Sequence, residues 1–241
     1  MNLIKRTLLI LMLCALSRPL VALDLGTIRD EIRVRIKDVG TSGQRRRFTD
    51  VQLNSFINQT QRDIVNVTWA VKKSTDFLLV ENTTFYTMPT DFITVERLVF
   101  ENRNLEESSI NGLDSRFNNA DWRTTDGFPE VYFRDTQRPD EIGFYPFPDD
   151  SGNSTGTVVM GYFAIAPDLS SDTDEPFDAI NRLQQYGDIL VYEPVYKVFL
   201  IEGEPDKALE YRSYYEARLE LMVSLEGQRP NFKPGFSSQR Q

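Results

Sequence analysis

The chain has 241 residues, 40% hydrophobic and 26% charged, enough to bury a sizeable core in one large domain or in a domain with an inserted subdomain. Its 27 lysines and arginines against 36 acids leave a net charge of −9, which excludes wrapping duplex DNA across a broad basic face. Histidine is absent and the one cysteine is Cys14, so Ser-His-Asp catalysis, Cys-His catalysis and the usual zinc sites lack their parts.

Residues 1–22 follow a different grammar from the rest. Lys5 and Arg6 precede an apolar run over residues 8–16, too short to span a bilayer, and smaller and polar residues lead to Ala22. This is the form of a secretory signal peptide, although Leu20 and Arg18-Pro19 are poor neighbours for a cleavage site. Leu13 before Cys14 does not make a lipoprotein box. Removal of the segment takes away three cations and no acid, moving the net charge from −9 to −12. The chain would then hold no cysteine, and its stability would rest on core packing.

Residues 23–75 predict a helical hairpin. Asp24 is placed to cap a helix carrying Leu25, Ile28, Ile32, Ile36 and Val39 on one face, closed by Gly40, Ser42 and Gly43. Thr49 and Gln52 form a capping-box pattern ahead of Leu53, Phe56, Ile57, Ile64 and Val67, a helix expected to run to about residue 72.

From residue 76 to 168 the period shortens to that of strands. Phe77-Leu78-Leu79-Val80 and Phe85-Tyr86-Thr87-Met88 bracket a turn at Asn82, and a longer strand over 92–100 turns through Glu101-Asn102-Arg103-Asn104 into Leu105. Residues 106–127 read as polar and irregular. Further strands are expected at 130–133, 141–145 and 157–164, with a loop tip over 149–156. Together they predict a small antiparallel sheet or sandwich of about five or six strands.

Helical spacing returns over 179–227. Ile180, Leu183, Leu190, Val191, Val195, Val198 and Phe199 form one stretch, with breaks expected near Gly187 and Pro194. Pro205 suits the first turn of a last helix, whose apolar face carries Ala208, Tyr211, Tyr215, Leu219 and Met222. The fold class expected is α+β: a helical bundle formed by the N- and C-terminal helices, with an inserted antiparallel β module. Residues 228–241 read as an extended tail, with Arg229, Phe232, Lys233 and Phe236 among Pro, Ser and Gln.

Candidate chemistry is sparse. No phosphate-cradling glycine motif is present. Asp149, Asp150 and Asn153, and the acids between Asp168 and Glu175, miss the spacing of a calcium loop. Glu130, Asp140 and Glu141 could face a cleft as a carboxylate pair, but 36 acids make such pairs common, and Trp122 beside Gly127-Phe128-Pro129 reads as a packing anchor. No catalytic, cofactor or metal site is expected, and the chain reads as no enzyme. The run Arg45-Arg46-Arg47 is either a solvated loop or an electrostatic contact to an acidic partner or to passing DNA. With Arg229, Phe232, Lys233 and Phe236 it makes up the expected partner-binding set.

Several phrases stand in a particular order. Leu25-Gly26-Thr27-Ile28-Arg29-Asp30-Glu31-Ile32-Arg33 comes first, then Arg47-Phe48-Thr49-Asp50 with Leu53, Phe56-Ile57-Asn58 and Gln61-Arg62-Asp63. Tyr86-Thr87-Met88-Pro89-Thr90-Asp91-Phe92, Gly127-Phe128-Pro129-Glu130-Val131-Tyr132 and Phe144-Tyr145-Pro146-Phe147-Pro148 follow, then Ala208-Leu209-Glu210-Tyr211 and Tyr214-Tyr215. In this order residues 25–226 resemble the adaptor, or head-to-tail connector, proteins of tailed bacteriophages. The resemblance implies a structural virion protein at the head–tail junction, without catalytic residues or cofactor. It implies a ring, dodecameric like the portals, that extends the DNA channel and presents a platform to the tail. The implied partners are further copies of the chain, the portal protein and tail proteins, with DNA as passing cargo only. Tails of this family commonly dock on the portal, a role that residues 228–241 fit by composition. A second reading takes residues 1–22 at face value: an exported periplasmic or extracellular binding protein, with the β module as its recognition face.

Overall fold

A carboxylate in front of a run of apolar residues starts the first helix. In the computed structural model, which describes residues 23–40, 46–117, 121–149 and 155–227, Asp24 accepts the Thr27 N–H at 2.7 Å and caps α1 (Leu25–Arg35). Cα proximity divides the chain into two units, residues 1–70 with 166–241, and residues 71–165.

In the first unit, Thr49 opens α2 (Asp50–Thr68) with a complete capping box: its hydroxyl accepts the Gln52 N–H at 3.2 Å, and the Gln52 side chain accepts the Thr49 N–H at 2.9 Å. Both helices end earlier than their apolar spacing suggests. Lys37 takes φ 55° after α1, and Val39 is left 58% exposed; Trp69 takes φ 48° and stops α2 at Thr68. After α4 (Asn181–Gln184) the chain turns at Gly187 into α5 (Ile189–Ile201), and α6 (Pro205–Gly227) follows; the remaining helix, α3 (Ile110–Arg116), belongs to the second unit. The expected break at Gly187 is present, but the one at Pro194 is not, because Pro194 lies inside α5. A proline there forfeits one helical hydrogen bond. Burial of Leu190, Val191, Val195, Val198 and Phe199 around it outweighs that loss. α5 packs against α1, α2 and α6.

The segment 166–178 is tied to these helices by amide side chains that the apolar pattern does not reveal. Asn58 is buried; its amide donates to the Leu169 carbonyl at 3.0 Å and accepts the Leu169 N–H at 2.8 Å. Gln61 does the same for Pro167 and Phe177, donating to one carbonyl and accepting from the other residue's N–H, both at 2.8 Å. Replacing Asn58 with alanine strands two backbone groups, at roughly 1–3 kcal/mol each. A urea titration should show the loss as a lower midpoint with an unchanged slope; a shift below about 0.5 kcal/mol would show that water replaces the amide.

The second unit holds β1 (Lys72–Leu78), β2 (Phe85–Thr87), β3 (Phe92–Phe100), β4 (Arg103–Ser108), β5 (Val131–Asp135), β6 (Arg138–Tyr145) and β7 (Thr157–Ala164). They form one sheet in the order β1-β7-β3-β4-β5-β6-β2. The fold is thus α+β, and it corrects the expected sheet in two respects. The described residues form seven strands, and the sheet is mixed, because β4 and β5 run parallel from Glu106↔Val131 to Ser108↔Phe133. Parallel neighbours need a long crossover. Residues 109–130, which overlap the stretch 106–127 read from sequence as irregular, supply one that contains α3 (Ile110–Arg116), capped by the Ser109 hydroxyl on the Gly112 N–H at 2.9 Å, and a 3₁₀ turn, Asp121–Thr124. β1 also begins at Lys72, before the apolar run at Phe77: among the described residues it pairs only with β7, and an edge strand carries polar residues. Glu101 and Asn102, at φ 47° and 63°, make the two-residue hairpin between Phe100 and Arg103.

Candidate interaction sites

In the first unit, charge concentrates where α1 meets the start of α2. Arg33 is only 2% exposed. Its guanidinium donates to Asp38 at 3.0 Å, to the Phe48 carbonyl at 3.1 Å and to Asp50. Asp38, also buried, accepts the backbone N–H groups of Arg47 at 2.9 Å and Phe48 at 3.2 Å. Asp50 further meets Arg29 and Arg46, each at 3.4 Å. The hydrogen bond from Arg33, backed by the charges of Arg29 and Arg46, holds the Asp50 carboxyl below its ordinary 3.8.

The sign of that shift fixes a pH response. A carboxyl with a depressed folded pKa contributes stability that is fully present above its unfolded value, here 3.8, and is lost as pH falls through the lower folded value. The melting temperature of Asp50→Asn should therefore fall less than that of the parent chain as pH drops below about 3.8. Parallel curves would remove Asp50 from the acid response.

In the second unit, an aromatic cleft is built around a glycine. Gly143 of β6 lies opposite Phe85 of β2 on one side and Phe133 of β5 on the other. With no side chain between them, the two rings meet edge-on at 5.7 Å. Trp122 closes on Phe133 from the 3₁₀ turn, ring to ring at 5.2 Å and 88°, and donates its indole N–H to Asp114 at 2.8 Å. Two guanidiniums lie on this floor: Arg123 stands 4.4 Å from the Trp122 ring centre and Arg138 4.4 Å from that of Phe85. Arg123 pairs with Asp114 at 2.9 Å and Arg138 with Glu141 at 3.0 Å. The cleft encloses about 270 Å³. Its hydrogen bonds from Trp122 and Arg123 hold the Asp114 carboxyl below the usual range.

A family model described as SU10 adaptor protein matches residues 23–235, which includes the helices of the first unit and the whole sheet of the second. The chain belongs to the SU10 adaptor protein family. It is accordingly a structural adaptor of a bacteriophage, a component of the virion that acts with head and tail components. Comparison with curated proteins finds no match.

The residues expected to meet partners are distributed unevenly in this adaptor. Arg46 is half exposed and pairs with Asp50 at 3.4 Å. Arg47 is bound within its own chain, donating to the Ile36 carbonyl and to Glu202. Arg45, Arg229, Phe232, Lys233 and Phe236 lie outside the described residues. Of the carboxylates weighed as a catalytic pair, Glu141 pairs with Arg138 at 3.0 Å; Glu130 and Asp140 are tied into the sheet through their backbones, the Glu130 N–H donating to the Tyr145 carbonyl and the Asp140 carbonyl accepting the Met88 N–H. In the acidic stretch, Asp168 pairs with Arg62 and Asp172 with Arg29, and Asp174 caps its own turn on the Ser170 and Ser171 N–H groups. Among the described residues no cluster of three or more acids, histidines or cysteines is placed to hold a metal, and no helix is long and apolar enough to cross a membrane.

Sequence reasoning passed over two features of the adaptor. One is the cleft, whose signal was the adjacency of Trp122 and Arg123. The other is the set of exposed apolar side chains along α6: Leu209, Tyr214, Leu221 and Leu225 are 66%, 46%, 43% and 44% exposed, while Ala208, Tyr215 and Met222 are buried. In the same unit Glu193 is buried beside Arg212, at 3.2 Å, and Lys197; burial pushes its carboxyl up, and the two cations pull against that shift.

Proposed function

We propose that this chain is the head-to-tail adaptor of a tailed phage, forming a closed ring between portal and tail and lining the channel through which DNA passes. The observation that carries the reading is the family match over residues 23–235. The exposed Leu209, Tyr214, Leu221 and Leu225 of α6 support it, because a head-to-tail contact repeated about a rotation axis needs exposed apolar side chains on each copy. The net charge of −9 suits a channel wall that lets DNA slide past without holding it. Twelve copies is the stoichiometry we assign, after the portals such adaptors join. Arg45, Arg46, Arg47, Arg229, Phe232, Lys233 and Phe236 are the contacts we assign to the portal, with Phe232 and Phe236 entering apolar clefts while the cations meet acidic rims.

Light scattering on a size-exclusion column tests this, with the chain alone and with the portal protein of the same phage. The expected result is a ring on the portal, weakened by deletion of residues 229–241 with no change in the chain's own thermal melt. A chain that never engages the portal overturns the reading. The rival reading, an exported surface-binding protein, requires a chain beginning near Leu23 outside the cytoplasm. Intact Met1 in purified virions, read by mass spectrometry, defeats that reading.

A further inference from the structure

One stripe of α6 outlasts the helix it packs on. Tyr211, Tyr214, Arg218, Leu221 and Leu225 recur at intervals of three and four residues and so share one flank. The first three meet α5 and its cap. The Tyr211 and Phe199 ring centres are 5.6 Å apart, those of Tyr214 and Tyr192 5.8 Å, and Arg218 reaches Asp188, just ahead of α5, at 2.8 Å. α6 then runs on through residues 219–227, past the start of α5, and Leu221 and Leu225 are left nearly half exposed among the described residues. We propose that the apolar run over residues 8–16 of the same chain covers this end of the stripe, continuing the line of α5.

The path of the chain selects this occupant. The described structure begins at Leu23, which packs so closely on Gly187 that a Cβ there would stand 2.7 Å from Leu23 Cδ1. Arg218 donates to the Gln185 carbonyl, two residues before Gly187, at 3.0 Å. Residues 1–22 therefore join the described chain at the level of α6 where the stripe loses α5. Extended, the six residues 17–22 reach about 20 Å. Leu225 is only about 10 Å along α6 from Arg218, so the reach suffices. As a helix, the nine residues 8–16 would span about 14 Å, which matches the length of 219–227. Every residue over 8–16 is apolar, so laying the run on Leu221 and Leu225 removes two apolar surfaces from water together. The tail 228–241 offers less, with Phe232 and Phe236 set among Pro, Ser and Gln. Leu209 lies on the opposite flank of α6 and is left to a neighbouring copy. The proposal concerns one copy of the chain and does not depend on the ring.

The test uses the full chain, whose one cysteine, Cys14, lies within the run and reports on it. Maleimide labelling of Cys14 should be slower by about tenfold or more than in the urea-unfolded chain, because a covered thiol reacts only when its cover opens. Leu221→Asp with Leu225→Asp should abolish that protection with the circular dichroism unchanged, and Leu209→Asp should leave it in place. If the Asp pair fails to fold, a short bismaleimide decides. It should link Leu225→Cys to Cys14 within one chain and should not link Leu209→Cys. Labelling of the parent chain as fast as in urea, protection that persists in the folded Asp pair, or no link within one chain overturns the proposal. A link that joins two chains gives the stripe to a second copy and overturns it too. So does protection lost on deleting residues 228–241, which puts Cys14 against the tail, or a mature chain that begins near Leu23. Portal binding, read by light scattering, judges the adaptor reading separately.

Discussion

Replacing Asp38 with alanine is expected to destabilise the first unit by about 3–5 kcal/mol, because it leaves a buried guanidinium with its closest buried counter-charge removed. Arg33 is 2% exposed and Asp38 5%, so water cannot take the place of the lost carboxylate without opening the packing. The same carboxylate accepts the Arg47 and Phe48 N–H groups, and losing it frees the chain just ahead of the α2 cap. Asp38→Asn retains one acceptor oxygen and should recover part of the loss. Asp38→Leu combined with Arg33→Met should cost less than Asp38→Ala alone, since an apolar pair leaves no charge stranded. Guanidinium denaturation of the three variants checks the order. A loss below about 1 kcal/mol for Asp38→Ala would mean that Asp50, half exposed as it is, suffices to hold Arg33.

Phe133→Ala is expected to cost the second unit about 3–5 kcal/mol, and to change the sign of a second substitution. Phe133 is 1% exposed and touches both Phe85 and Trp122, so its removal opens a cavity at the centre of the aromatic cluster. A Cβ on Gly143 would stand 2.7 and 2.8 Å from Cε2 and Cε1 of Phe133, closer than carbon atoms tolerate. Gly143→Ala in the parent chain should therefore cost about 1–3 kcal/mol through overpacking. In the Phe133→Ala background the obstructing ring is gone, and Gly143→Ala should be neutral or stabilising, because alanine loses less chain entropy than glycine in a strand. Thermal melts of the four members of this cycle give the coupling directly. Additive effects would show that the ring moves aside, and that Gly143 is kept for another reason.

The local features of this chain were largely legible. Asp24 caps α1, Thr49 and Gln52 complete a capping box, Pro205 stands in the first turn of α6, and the strands over 92–100 and 157–164 have the bounds their composition suggests. In each case the cause is a side chain acting within a few residues of itself, or a run with one period. The family was legible too, from phrases spread across both units. Helix ends were less so. Lys37 and Trp69 adopt positive φ, and nothing in their chemistry announces it.

What sequence alone determined was the α+β class, most of the caps, the apolar faces of α2 and α6, and the lack of the histidine that Ser-His-Asp and Cys-His catalysis require. Only the tertiary structure decided that β4 and β5 pair in parallel, that Arg33 and Asp38 form a buried pair, and that Asn58 and Gln61 turn inward to hold segment 166–178. It also took tertiary structure to place Arg123 and Arg138 in one aromatic cleft, and to bind Arg47 within its own chain. The physical reason is range. Caps and periodic faces are satisfied within one or two turns of chain. A strand partner, a buried counter-charge or a ring over a glycine comes from a distant segment, and the energy that selects it exists only once packing has excluded water from both.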